Sequence, residues 1–211
     1  MFMLKGMEKV PRDAAISLKI NSPKGCRRII KKAFDFARDS KRKKVTCVHK
    51  ANVVRLTDGM FLETFYEIAR AYPGVAADDA NIDALTMWLL KNPFNYDVLV
   101  APNLYGDIIS DLCAQLVGGL GFGASGNIGD DYAVFEPSHG SAPKYTGLYK
   151  VNPIASIIAA RMMLEWLGEK EMANKLENSV AAVVKEGKVR TYDMGGNSTT
   201  LQMAEAIAKA L

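Results

Sequence analysis

The chain has 211 residues, 49% of them hydrophobic and 24% charged, and carries a net charge of +4. That balance supplies a sizeable core and excludes disorder, and no apolar run approaches the roughly eighteen residues of a membrane span. The opening "MFMLKGMEKV" is too short for the apolar core of a signal peptide, so a cytoplasmic location is expected.

In chain order, Ser22-Pro23 reads as an N-cap and first helical residue, with Ile29, Ile30, Ala33, Phe34 and Ala37 as the apolar stripe behind them. The basic "SKRKK" (40–44) is a solvated turn or an anion-binding patch ahead of a β-branched strand, "VTCVHK" (45–50). "TDGMFLETFYEIARAYPG" reads as a helix stopped by Pro73-Gly74, and "ANIDALTMWLLKNP" as another stopped by Pro93. "DVLVA" (97–101) is the next strand, and "APNLYGDIISDL" (101–112) opens a helix. Six glycines in "GGLGFGASGNIG" (118–129) predict a loop at a domain seam. "YAVFEP" is a strand, Asn152-Pro153 caps a helix running to Gly168, another helix follows through 185, and "TTLQMAEAIAKAL" closes the chain. The pattern is α/β without internal repeats. Cys26, Cys47 and Cys113 are odd in number and sit in apolar segments, which predicts buried thiols and not a disulfide or zinc framework. No nucleic-acid motif is present.

Three clusters could carry chemistry. Asp107 and Asp111 are four apart, so on a helix their carboxylates share a face and repel, unless water screens them or a cation fills the gap. With Asp83 from the preceding helix they would offer an all-oxygen set suited to Mg²⁺ or Mn²⁺. Lys50 and Asn52, in "HKANV", follow a strand end where α/β folds bind ligands; they point the same way if the strand continues. Lys50 is then a surface cation, a carboxylate partner or a proton carrier. The loop "EPSHGSAPKYTGLYKVNP" (136–153) lacks a G-x-G-x-x-G fingerprint, yet His139, Gly140, Lys144 and Tyr145 could cradle a phosphate.

Taken together, "VHKANV", "LTDGMFLE", "NPFNYDVLVAPNLYGDIISDL", "GGLGFGASGNIG", "EPSHGSAPKYTG" and "KVNP" closely resemble the β-decarboxylating dehydrogenases that act on isocitrate, 3-isopropylmalate and homoisocitrate. The resemblance runs in the family's order over nearly the whole chain. It implies the family's α/β fold, incomplete at the N-terminus, with a central substrate and dimerisation domain over 1–117, including a remnant of the clasp segment, and the C-terminal part of the nucleotide-binding domain over 118–211. It further implies that Asp107 and Asp111 bind Mg²⁺ or Mn²⁺, that Asp83 completes the site from the other subunit of a homodimer, and that Lys50 and Asn52 cross the same interface to the substrate. Glu136, His139, Gly140, Lys144, Tyr145, Val151, Asn152 and Tyr192 match cofactor-binding positions.

Lys144 stands where NAD-dependent members carry an aspartate, which favours NADP over NAD. Gly196 departs from that pattern, because an arginine is expected there. The expected activity is oxidative decarboxylation of a small 2-hydroxy acid, isocitrate first; the alternatives are 3-isopropylmalate or homoisocitrate as substrate, or a catalytically silent subunit. The family's substrate-clamping arginines have no counterpart here, and Leu4 stands at the place of its tyrosine proton donor, so the isolated chain is expected to be inactive.

Overall fold

The computed structural model describes Asp13, Ala15 and residues 17–211; Leu4 lies outside the described residues. The chain divides into two compact units, Met1–Gly106 and Asp107–Leu211, and the division lies ahead of the glycine-rich segment at which the sequence places a seam.

In the first unit, helix α1 (Pro23–Asp39) starts where Ser22 Oγ accepts the Gly25 N–H at 3.2 Å. This satisfies one of the orphan donors of the first turn, and Pro23 is preset for the helix. The buried face is Cys26, Ile30, Phe34 and Ala37. Ile29, expected on that stripe, is 48% exposed, and Cys26 one turn earlier than Ile30 fills the face instead. Strand β1 (Lys44–His49) lies between β2 (Ala76–Asn81) and β3 (Val98–Val100) in a parallel sheet. Helices α2 (Arg55–Ala69) and α3 (Ile82–Lys91) complete its order, and α4 (Asn103–Leu116) runs across the division after Gly106. The core packs Phe34 against Phe65 and Tyr72, with ring centroids 5.3 and 5.0 Å away, over Val45 and Cys47.

Two expectations are corrected here. "ANIDALTMWLL" is not helical from its start, since β2 runs to Asn81 and the helix begins at Ile82. Strand β1 also does not continue past His49: the Val53 and Val54 N–H groups both turn back to the Lys50 carbonyl, at 2.9 and 2.8 Å. Lys50 and Asn52 therefore sit on a turn and share no strand face.

In the second unit, β4 (Ala124–Ile128) and β5 (Ala133–Pro137) form an antiparallel hairpin. The glycine-rich segment is thus partly a strand, not a loop throughout. A Cβ at Gly126 would lie 3.0 Å from the Phe135 ring, so glycine lets that ring lie flush on the neighbouring strand. Helices α5 (Ile154–Trp166), α6 (Lys170–Glu186) and α7 (Thr200–Ala210) bury Ile154, Val180, Val183, Met203 and Ile207 together. Gly187, at φ 69°, stops α6 in the left-handed conformation that residues with a Cβ resist, and a Thr199–Gln202 capping box starts α7.

Cys26 and Cys47 are buried and Cys113 is half-buried, all as free thiols, and burial raises each above its ordinary range. Among the described residues no helix is long and apolar enough to cross a membrane.

Candidate functional site

The parallel register sets up the first group. His49 lies opposite Asn81 on β2, so the residues just past each strand emerge side by side at the carboxyl edge of the sheet. Lys50 follows β1, Asp83 falls in the first turn of α3, and Lys50 Nζ reaches Asp83 Oδ2 at 2.6 Å. The Lys50 side chain is only 21% exposed while that of Asp83 is 65% exposed, so the carboxylate stays open to solvent. The hydrogen bond from Lys50 holds the Asp83 carboxyl below its ordinary range. Asn52 is exposed on the same turn.

That turn is pinned from beneath by two buried groups that no local sequence signal singles out. Asp58, fully buried in the first turn of α2, accepts the Lys50 backbone N–H at 2.9 Å, and the Lys19 ammonium and Tyr105 hydroxyl bind the same carboxylate. Burial pushes Asp58 upward, but Lys19, the Lys50 amide and Tyr105 together outweigh it, and the carboxyl titrates below its usual range. Burial and the bond to Asp58 push Tyr105 up to about 12. His49 Nδ1 accepts the Ala51 N–H at 3.0 Å, so the neutral ring carries its proton on Nε2 and donates to Asp79 Oδ2 at 2.9 Å. Tyr66 donates to the other oxygen of Asp79.

The second group is Asp107 and Asp111 on α4, one helical turn apart and both exposed. Among the described residues neither carboxylate is engaged by an ion pair, and no three His, Cys, Asp or Glu side chains converge within the chain. Two same-face carboxylates without cation partners fit a hard divalent ion that takes its remaining oxygens from elsewhere.

The third group is the loop after β5. Glu136 accepts Asn127 Nδ2 at 3.0 Å across the hairpin, and His139 Nδ1–H donates to the Gly140 carbonyl at 2.9 Å, leaving Nε2 as an acceptor. Open space surrounds the position of a Cβ at Gly140. Lys144 Nζ stands 4.9 Å from the Tyr145 ring centre, and that ring is 5.6 Å from Tyr192. A hydrogen bond between the two hydroxyls holds Tyr145 below and Tyr192 above the ordinary tyrosine range. The exposed Lys144 ammonium, with half-buried Tyr145 and exposed Tyr192 beside it, fits an anionic, phosphate-bearing cofactor. Asn152 is engaged internally: its Oδ1 accepts the Ile154 N–H and its amide binds Asp193, both at 3.0 Å, while Val151 beside it is half-buried. At Gly196 a Cβ would lie 2.2 Å from the Arg190 carbonyl oxygen, so this backbone admits no arginine there.

The family model for isocitrate/isopropylmalate dehydrogenase matches residues 4–207. The chain belongs to this family. It is 45% identical to the 3-isopropylmalate/3-methylmalate dehydrogenase of Methanocaldococcus jannaschii, over 98% of this chain and 63% of that protein. It is 44% identical to a regulatory component of the mitochondrial NAD isocitrate dehydrogenase of Dictyostelium discoideum, over 98% of this chain and 59% of that one. A crystal structure of isocitrate dehydrogenase from Methylococcus capsulatus superimposes with a TM-score of 0.91 at 48% identity, covering 94% of this chain and 59% of that chain. The chain thus spans about three-fifths of the length of these family members.

Proposed function

We propose that this chain provides the proton-transfer, metal and nucleotide elements of an NADP-dependent oxidoreductase that decarboxylates isocitrate to 2-oxoglutarate. The carrying observation is the Lys50–Asp83 pair at 2.6 Å on the carboxyl edge of the sheet. In this reading the neutral amine of half-buried Lys50 takes the proton of the substrate hydroxyl and becomes the ammonium held by Asp83, which then gives a proton to carbon after carbon dioxide leaves. Asp58 and His49 fix the backbone of the turn that carries Lys50, so its side chain starts from one position. Asn52, exposed on that turn, is placed to bind and orient substrate.

Asp107 and Asp111 would hold Mg²⁺ or Mn²⁺, with Asp83 of a second copy as a further oxygen ligand, which makes the working unit a homodimer with a shared site. When bound, the ion supplies positive charge at the substrate's hydroxyl and carboxylate, and the nicotinamide supplies a hydride acceptor. The Lys144 ammonium and the Tyr145 and Tyr192 hydroxyls support NADP over NAD; Glu136, His139, Gly140, Val151 and Asn152 line the remainder of the nucleotide's contacts in this reading. A 3-isopropylmalate or homoisocitrate substrate is the second reading for the chemistry, favoured by the 45% identity to the isopropylmalate/methylmalate enzyme. The 44% identity to a regulatory component favours a catalytically silent role.

Calorimetric titration of Mn²⁺ into the wild type and Asp107→Asn, each with isocitrate or 3-isopropylmalate, tests the assignment. The expected result is affinity enhanced by isocitrate and at least about tenfold weaker in the variant. Equal Mn²⁺ affinity in both proteins removes Asp107 from the metal site, and enhancement by 3-isopropylmalate instead of isocitrate transfers the activity to the second substrate.

A further inference from the structure

Lys150 is absent from the residues assigned so far, yet its ammonium stands 4.9 Å from the Tyr192 ring centre and 5.5 Å from that of Tyr145. Lys144 approaches Tyr145 at 4.9 Å, so two cations bracket one pair of hydrogen-bonded tyrosines. Neither lysine has a carboxylate partner among the described residues. On a charged surface a lysine usually finds one or points into water; here both are gathered on neutral rings.

The backbone around Lys150 is constrained on both sides. The Thr200 N–H, at the start of α7, binds the Tyr149 carbonyl at 2.7 Å, and Thr200 Oγ1 donates to the Val151 carbonyl at 2.5 Å. One threonine therefore clamps the residues flanking Lys150. Tyr149 itself is held at φ 47°, a left-handed conformation unfavourable for a side chain of its size. Strain of this kind persists where surrounding bonds over-determine it, and it clusters at ligand clamps.

A phosphomonoester carries nearly two negative charges at neutral pH, and one ammonium leaves it under-compensated. We infer that Lys150 is the second cation of a phosphomonoester site, closing with Lys144 on the 2′-phosphate that distinguishes NADP from NAD, while Tyr145 and Tyr192 supply hydroxyl donors. This rests on the cofactor assignment above. It adds a specificity-determining residue whose position is set by Thr200, and it puts the second positive charge on the loop itself instead of on the Thr191–Gly196 turn.

The test titrates the full chain with adenosine 2′,5′-bisphosphate, adenosine 5′-monophosphate and inorganic phosphate by calorimetry. Wild type should prefer the bisphosphate to the monophosphate. Lys150→Gln should weaken the bisphosphate by roughly tenfold to a hundredfold, leave the monophosphate unchanged and leave the melting temperature unmoved, and Lys150→Arg should recover most of the loss. Bisphosphate affinity unchanged in Lys150→Gln but lost in Lys144→Gln overturns the role of Lys150 and keeps the cofactor assignment. Equal losses for both nucleotides overturn recognition of the 2′-phosphate. Inorganic phosphate binding as tightly as the bisphosphate overturns the nucleotide as its source. Wild type that binds neither nucleotide overturns the inference and the cofactor assignment together.

Discussion

Asp58 and the pair Asp107 and Asp111 are all aspartates on helices, yet they live in opposite circumstances. Asp58 is fully buried and receives the Lys19 ammonium, the Lys50 amide and the Tyr105 hydroxyl, so a carboxylate that lost water has found donors in its place. Asp107 and Asp111 are exposed, repel each other and have no cation partner among the described residues. The carboxylate that holds the fold together is saturated with donors, whereas the two proposed for the metal have no such donors among the described residues. The contrast is repeated among the cations: Lys19 is committed to Asp58, while Lys144 and Lys150 are kept clear of acids among the described residues.

The comparison breaks most visibly at Asp58. Asp58→Asn should cost about 2–4 kcal/mol in urea unfolding at pH 7, because it leaves Lys19 and the turn amide without their charged acceptor. The folded carboxyl titrates below its unfolded value near 3.9, so the folded state binds that proton less readily. Its contribution is therefore complete above about pH 5 and is lost as the pH falls through about 4 toward the folded value. The stability gap between wild type and Asp58→Asn should close on acidification from pH 7 to pH 3; a gap independent of pH would show that the charge contributes nothing.

Asp79 lies between the extremes. Its side chain is 37% exposed, and solvent screening reduces its worth, so Asp79→Asn should cost only about 1 kcal/mol. The distinguishing sign is in His49, whose Nε2 proton loses its carboxylate acceptor: a shifted His49 ring resonance with an unshifted Phe34 core is the expected nuclear magnetic resonance result.

The smallest effect has the opposite sign. Asp107→Asn removes a like-charge pair on α4 and should stabilise the chain by a few tenths of a kcal/mol in metal-free buffer, an advantage that Mn²⁺ erases. Destabilisation without metal would mean that Asp107 has a structural partner and belongs with Asp58.

Local signals in the sequence locate much of the fold, and long-range ones stay hidden. Ser22-Pro23 marks α1 because the cap is made by neighbours in sequence, and the same holds for the start of α5 after Asn152. Strand β2, "AADDAN", is invisible to β-propensity, because its two aspartates are justified only by Lys44 and Thr46 for Asp78, and by His49 and Tyr66 for Asp79. Gly126, which hides β4, is explained only by the Phe135 ring across the hairpin. At the site, "HKANV" points to Lys50, but the burial of Asp58 depends on Lys19 and Tyr105, far away in the chain. Lys150 gives little local signal because Tyr192, whose ring its ammonium approaches, and Thr200, which bonds its two neighbours, lie more than forty residues on.

The close approach at Gly196 also bears on how a cofactor preference could change over generations. A side chain there would put its first carbon 2.2 Å from the Arg190 carbonyl oxygen and 2.5 Å from the Arg190 Cβ, a collision with the main chain that no rotamer relieves. A charged residue at 196 is therefore not one mutational step away: the turn from Arg190 to Gly196 would have to be rebuilt first, through intermediates less stable than either end. The loop position 150 meets no such barrier, since its side chain projects from a frame held by Thr200 and can be exchanged alone. On the proposed assignment, a change of cofactor choice would be epistatic at position 196 and freely adjustable at position 150.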